Sequence, residues 1–269
     1  MKVLDLFSGI GGFSYGLEST GGFQTVAFAE CEPYPIAVLK KHWPTVRVYE
    51  DVRQITATRL FRDRIQYPDV ITGGFPCQDI SQAGSQDGIS GAQSGLWSEL
   101  YRIISEVRPS YAIVENVAAL LSGDRGGWFG TILRDLASIG YDARWKCISA
   151  SSVGAPHIRN RIFIVAYPNG KGLEGSKETG DTSSKRPESH EQLTGCHKIK
   201  PTWKDVSRVC GMDDGLSYWL HTPEPPRVTE KNEKATPRLK ALGNSIVPQI
   251  AYLIGQEILN YEESLCQQQ

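Results

Sequence analysis

Apolar and polar positions along the first 167 residues alternate between two rhythms. Short β-rich runs recur at 3–6, 25–29, 46–49, 69–72 and 111–114. Each is bounded by polar or glycine-rich residues of the kind that end strands. Between them lie stretches with the three-to-four-residue spacing of amphipathic helices, the first running through Leu17 and Glu18 and the second covering 33–42. Strands separated by helix-length segments predict an α/β fold: a mostly parallel sheet with helices on both faces. A further strand is expected at 162–166, and helical periodicity returns at 237–242 and 248–259.

The rhythm breaks twice. Between Gln78 and Gly95 the chain is dense in Gly, Ser and Gln, which reads as a loop next to a strand end and a candidate lid. From Asn169 to His190 it is polar and aperiodic, and aromatic residues come back only at Trp203, Tyr218 and Trp219. The simplest organisation is a first unit at 1–167, a small lobe inserted at 168–235, and a terminal segment at 236–269 that returns to the first unit.

Composition narrows this picture little. Of 269 residues, 40% are apolar and 22% charged, an ordinary globular balance. No apolar run is long enough to span a bilayer, and the N-terminus reads as a buried strand rather than a signal peptide, so a cytoplasmic protein without a membrane partner is expected. Twenty-nine basic residues against 30 acidic ones give a net charge of −1, which neither announces nor excludes a nucleic-acid ligand. The six cysteines contain no Cys-x-x-Cys pair and read as reduced thiols; His190, Cys196, His197 and Cys210 fit no zinc spacing, so no metal is expected.

In sheets of this kind ligands bind at the carboxyl ends of the strands, and the polar features gather there: Asp5 to Gly12, Glu30, Gly73 to Ser81, and Glu115-Asn116. Asp5-Leu-Phe-Ser-Gly-Ile-Gly-Gly-Phe13 runs from a strand through a glycine turn into a helix, where backbone N–H groups can approach a ligand closely. Glu30 ends the next strand, 21 residues after Gly9, where an acid typically accepts from ribose hydroxyls. Together they point to an adenosine-bearing cofactor. A nicotinamide fingerprint fails, because the third glycine position is Ser14.

Pro76-Cys77-Gln78 follows the fourth strand. An isolated cysteine is most often a small buried hydrophobe, but at a strand end with polar flanks and a stiffening proline it becomes a candidate thiolate nucleophile. Glu115 ends the adjacent predicted strand, placed to stabilise charge on a ring nitrogen while a thiolate adds to that ring. Arg159 and Arg161 alternate at the mouth of the last strand, so both guanidinium groups can face one site.

With these residues in place, the chain resembles the DNA (cytosine-5) methyltransferases over nearly its whole length. The 5–13 segment is similar to the first cofactor motif of that family, Pro76-Cys77-Gln78 to its nucleophile motif, Glu115-Asn116-Val117 to its glutamate motif, and Arg159 and Arg161 to its paired arginines. Gly243-Asn-Ser-Ile-Val-Pro248, preceded by 238–242, is similar to the last motif. The family usually has Gln where this chain has His157.

The resemblance implies a Rossmann-like methyltransferase sheet with a small target-recognition lobe, acting on double-stranded DNA with S-adenosyl-L-methionine and releasing S-adenosyl-L-homocysteine. It implies a monomer encoded by a bacterium, archaeon or phage. A cytosine flipped out of the duplex would be attacked at carbon 6 by Cys77, with Glu115 at its N3 side and Arg159 and Arg161 holding the base and its phosphate. Gln78 and Ser81 would contact DNA. Phe7, Gly9, Ile10, Gly11, Glu30, Asp51, Val52, Pro76, Leu96, Asn244 and Ser245 would bind the cofactor. The alternatives are a transfer-RNA cytosine-5 methyltransferase of the same architecture, whose additional signature is not evident here, and a catalytically idle DNA-binding relative, against which the full set of Cys77, Glu115, Arg159 and Arg161 argues.

Overall fold

The computed structural model describes residues 1–75, 95–155, 157–170 and 235–267. They form one seven-stranded sheet: β1 (Lys2–Leu6), β2 (Gln24–Ala29), β3 (Arg47–Tyr49), β4 (Val70–Gly73), β5 (Tyr111–Val117), β6 (Tyr141–Ser149) and β7 (Asn160–Pro168). Their spatial order is β3-β2-β1-β4-β5-β7-β6. The helices are α1 (Gly12–Glu18), α2 (Pro33–His42), α3 (Ala57–Arg62), α4 (Leu96–Val107), α5 (Gly127–Ser138), α6 (Ala235–Asn244) and α7 (Pro248–Cys266). The five expected strands up to 114 are all present within a residue or two of their predicted starts. β5 runs to Val117, carrying the expected strand end at Glu115-Asn116, and β7 is longer than the expected 162–166.

β1, β2, β3, β4 and β5 pair in parallel, whereas β7 pairs antiparallel with both β5 and β6. Strand order reverses between β1 and β4: the chain winds outward from β1 to β3, then restarts beside β1. That switch point opens a crevice at the carboxyl ends of β1 and β4, because the connections leaving them depart in opposite directions.

Period-two alternation explains why both faces are covered. Leu4, Leu6, Ile71, Ala112, Val114, Ile162 and Ile164 pack on one side with Trp97, Leu100, Ile103 and Ile104 of α4 and with Ile132 and Leu136 of α5. Their neighbours Val3, Val70, Ile113 and Phe163 face the other side, against Phe13 and Leu17 of α1 and Ile250, Ala251 and Ile258 of α7. α7 thus packs on this face of the sheet beside α1. An added Cβ at Gly16 would run into the Pro248 carbonyl and the Ala251 Cβ, so α1 and α7 touch backbone to backbone there. Among the described residues no helix is long and apolar enough to cross a membrane, and no group of metal-ligating side chains occurs. The inserted segment and its His190, Cys196, His197 and Cys210 lie outside the described residues apart from 168–170 and Ala235.

Candidate active site

The β1–α1 turn is built on left-handed backbone: Phe7 at φ 52°, Gly9 at 53° and Gly11 at 86°. Glycine adopts this region freely, whereas a non-glycine residue such as Phe7 is strained by about 1 kcal/mol or more, and such strain concentrates at functional sites. The glycines differ in what surrounds them. A Cβ at Gly11 would meet the Trp43 ring at 2.7 Å, and one at Gly12 would meet the Ile246 carbonyl at 2.9 Å and Ser245 Oγ at 3.0 Å. A Cβ at Gly9 would meet nothing within 4 Å, so the turn opens onto free space there.

Asp5 holds the turn from beneath. Its carboxyl is fully buried; Oδ1 accepts from Thr72 Oγ1 of β4 at 2.7 Å and Oδ2 from Ser14 Oγ of α1 at 2.8 Å. Burial pushes its pKa up to about 7 against the pull of those hydrogen bonds, with the nearby Glu30 charge pushing the same way. Glu30, at the end of β2, accepts from the Gly9 amide at 2.7 Å through one oxygen, and from the Cys31 and Glu32 amides at 2.8 and 2.9 Å through the other. The expected pairing of glycine turn and acid is therefore a direct contact.

Of the remaining expected cofactor residues, Pro76 lies outside the described residues. Ile10 is fully buried against Val38 of α2 and Ala241 of α6. Asp51 caps the short turn Val52–Gln54 by accepting from the Arg53 amide at 3.0 Å, and the Arg53 side chain holds its carboxyl below the usual range. Val52 is buried in the core, and Leu96, the first residue of α4, is half-buried against it. Asn244 is exposed at the end of α6, whereas Ser245 is buried against Gly12.

One strand further on, Glu115 is nearly buried and paired with Arg161: the guanidinium Nε lies 3.0 Å from its Oε1. β7 runs antiparallel to β5 with Val117 opposite Arg161 and Glu115 opposite Phe163, so the two are diagonal neighbours across the ladder. Burial raises the Glu115 pKa, while Arg161 and then Arg159 oppose the rise. Its second oxygen leans on the backbone leaving β4: a Cβ at Gly74 would sit 3.0 Å from Glu115 Oε2. Asn116 Nδ2 donates to the Phe75 carbonyl at 3.3 Å, fixing that same backbone. Glu115 thus stands at the root of the segment carrying Pro76, Cys77, Gln78 and Ser81, four expected site residues that lie outside the described residues.

Both arginines face Glu115 electrostatically, but their contacts differ. Arg159 Nη1 donates to the Gly243 carbonyl at 2.5 Å, and desolvation lowers its pKa. His157 is exposed. Sequence reasoning missed Ser14 and Thr72 as the partners of Asp5 and Asn116 as the anchor of Phe75; hydroxyl and amide side chains one turn or one strand away carry no local signature.

Comparison with known proteins agrees with this geometry. The family model of the C-5 cytosine-specific DNA methylase matches residues 1–210. Type II methyltransferase M2.BsuMI of Bacillus subtilis is 36% identical over 170 residues, covering 62% of this chain and 42% of that protein. Type II methyltransferase M1.ScrFI of Lactococcus lactis subsp. cremoris is 34% identical over 166 residues, covering 62% and 41%. The chain therefore spans about two fifths of the length of these curated relatives. Among solved structures, a DNA modification methyltransferase encoded within an E. coli prophage superimposes with a TM-score of 0.56 at 26% identity, over 77% of this chain and 54% of that one. The S. pombe Dnmt2 methyltransferase shares the fold at a TM-score of 0.62 and 18% identity, over 97% of this chain and 99% of its own. With the Rossmann-like sheet, the glycine turn tied to Glu30 and the Glu115–Arg161 pair at the root of the cysteine segment, the chain belongs to the C-5 cytosine-specific DNA methylase family.

Proposed function

We propose that the chain is a DNA (cytosine-5-)-methyltransferase that moves a methyl group from S-adenosyl-L-methionine to carbon 5 of a cytosine flipped out of double-stranded DNA. The observation that carries this reading is the position of Glu115: a buried carboxyl with a raised pKa, paired with Arg161, leaning on the Gly74 backbone three residues before Cys77.

The residues around the turn fit an adenosine-bearing donor. Gly9 faces open space and Glu30 accepts from the Gly9 amide, which supports Glu30 as the acceptor for ribose hydroxyls. Phe7, Ile10, Gly11, Asp51, Val52, Pro76 and Leu96 would line the remainder, with Asn244 and Ser245 closing it. When bound, the donor supplies an electrophilic methyl group on a sulfonium. The Cys77 thiolate adds to carbon 6 of the cytosine, and Glu115, holding its proton, hydrogen-bonds N3 as electron density moves onto the ring. Carbon 5 forms the new bond to the methyl group. Loss of the carbon 5 proton to a base then expels Cys77 and restores the aromatic ring. Arg161 keeps Glu115 oriented and faces the base, while Gln78 and Ser81 meet the DNA. The lobe at 168–235 would read the target sequence. The names of the relatives, type II methyltransferases, support a modification enzyme of a restriction-modification system. On this reading the enzyme is bacterial, archaeal or phage-encoded and acts on DNA in the cytoplasm as a monomer.

The test is transfer of labelled methyl from S-adenosylmethionine to duplex DNA. The wild-type chain labels DNA, and Cys77→Ser abolishes labelling while still binding S-adenosylhomocysteine. Duplex DNA carrying 5-fluorocytosine traps a covalent adduct at Cys77, because fluorine cannot leave as a proton does. Labelling of transfer RNA but not DNA would refute the DNA assignment.

A further inference from the structure

Arg159, just before β7, and Arg161, within it, sit two residues apart beside one carboxylate, yet of the two only Arg161 is paired with it. Arg159 Nη1 is committed elsewhere, to the carbonyl of Gly243 at 2.5 Å, across 84 residues of sequence. Gly243 is the penultimate residue of α6. The last four carbonyls of a helix have no partner within it, and the helix dipole leaves partial negative charge there. Ser245 N–H satisfies the Leu242 carbonyl at 3.2 Å, and the Arg159 guanidinium satisfies the next one.

What this contact holds is set by the other ends of the same segment. Lys240 Nζ reaches Glu32 Oε1 at 3.1 Å, just beyond the end of β2. Ala241 is buried on Ile10, and Ser245 and Ile246 lie against Gly12. The segment 240–246 is thus tethered at the end of β2, crosses the glycine turn that follows β1, and is fastened at the start of β7, next to Glu115. It lies over the strand ends from one side of the switch point to the other. Among the described residues, Arg159 supplies its hydrogen-bonded tether on the Glu115 side.

We infer that Arg159 is a positioning residue for the methyl-donor pocket: by capping α6 at Gly243 it fixes the Asn244-Ser245 turn over the glycine turn, and so ties closure of that pocket to the Glu115 side of the site. This deepens the proposed function and rests on it. It divides the arginine pair by duty, Arg161 serving the base pocket and Arg159 serving the donor pocket.

The test compares Arg159→Ala, Arg159→Lys and Arg161→Ala in the full chain with two readouts, neither of them turnover. The first is hydrogen exchange of the peptide spanning 240–247 in the ligand-free protein; the second is calorimetric binding of S-adenosylhomocysteine. A charge-assisted cap predicts that Arg159→Ala speeds exchange about tenfold and weakens binding about tenfold. Arg159→Lys recovers part of both, since a single ammonium can still donate, and it carries the test should the alanine variant fail to fold. Arg161→Ala leaves both unchanged. Equal exchange and affinity in wild type and Arg159→Ala, faster exchange without weaker binding, or an equal effect of Arg161→Ala each overturns the assignment. A wild-type chain that binds no S-adenosylhomocysteine refutes the proposed function and this role with it, whereas tight binding untouched by the Arg159 variants refutes the role alone.

Discussion

Replacing Asp5 with asparagine removes a fully buried ionisable group from the switch point and leaves its shape nearly intact. The carboxyl joins three elements: β1 through its own backbone, β4 through Thr72 and α1 through Ser14. Burial raises its pKa in the folded protein to about 7, whereas an unfolded chain leaves an aspartate near 4. The folded state therefore holds the proton more tightly than the unfolded state. Between about pH 4 and about pH 7 the folded state binds more protons, so stability falls as pH rises through that window. Three pH units at 1.36 kcal/mol each make this about 4 kcal/mol, fully lost above pH 7. The asparagine variant carries no such slope. At low pH, Asp5→Asn costs about 1 kcal/mol, because the amide nitrogen brings two donors where the protonated carboxyl brings one. By about pH 8 the variant becomes the more stable protein. Urea unfolding of both proteins in steps from about pH 4 to 8 measures the difference directly, and the titration of every other group cancels in it. A difference that stays constant with pH would show that Asp5 is ionised throughout, and the reasoning would fall.

Four further outcomes follow from single contacts. Glu115→Gln lowers methyl transfer by about 10²–10⁴-fold with the fold retained, and because the protonated carboxyl is the active form, the wild-type rate declines as pH rises through its elevated pKa; initial rates against pH check both. Gly16→Ala, whose methyl would run into the Pro248 carbonyl and Ala251, destabilises by about 1–3 kcal/mol and lowers the thermal midpoint by several degrees. Trp97→Phe removes the 2.8 Å bond from the indole N–H to Asp135 that joins α4 to α5, costing about 1–2 kcal/mol in urea unfolding. Thr56→Ala removes the side chain that caps α3 at the Arg59 amide, costing about 1 kcal/mol by the same measurement.

The legible parts of the fold are those whose local chemistry agrees with their place. α2 has its predicted bounds because Pro33 suits a first turn, which lacks donors to lose, and Lys40, Lys41 and His42 suit the negative end of the dipole. β1, β4 and β5 are buried on both faces and show it as mostly apolar runs, interrupted within the buried stretch only by Asp5 and Thr72, which bond each other. β6 is different: it lies at the sheet edge, and Arg144, Trp145, Lys146 and Cys147 are all exposed, so no alternation marks it as a strand. α4 carries a plain helical spacing in Trp97, Leu100, Ile103, Ile104 and Val107 and is open to the same reasoning as α2. That β7 runs antiparallel beside β5 has no local cause, since its sequence is as apolar as any parallel strand.

The same distinction holds for the site. Asp5, the glycine turn, Glu30 and Glu115 are readable because strand ends are where an α/β sheet binds ligands, and each follows an apolar run directly. Topology brings them together: reversal of strand order at β1 and β4 makes the turn after β1 neighbour the end of β4, and β5 adds Glu115 beside Gly74. The duties of Arg159 and Arg161 are not readable, for alternation on a strand assigns two side chains to one face without saying what each meets there. Arg161 meets Glu115 because antiparallel register makes them diagonal; Arg159 meets the end of a helix 84 residues further along the chain. A partner that distant depends on where the terminal segment docks, and the close packing of Gly12 and Gly16 against 245–251 contributes to that docking alongside Arg159. If that packing sets the position of Gly243, then Gly12→Ala, which leaves Arg159 untouched, should loosen the same 240–247 peptide in hydrogen exchange as Arg159→Ala does. Undisturbed exchange in Gly12→Ala would mean that the arginine alone holds the segment down.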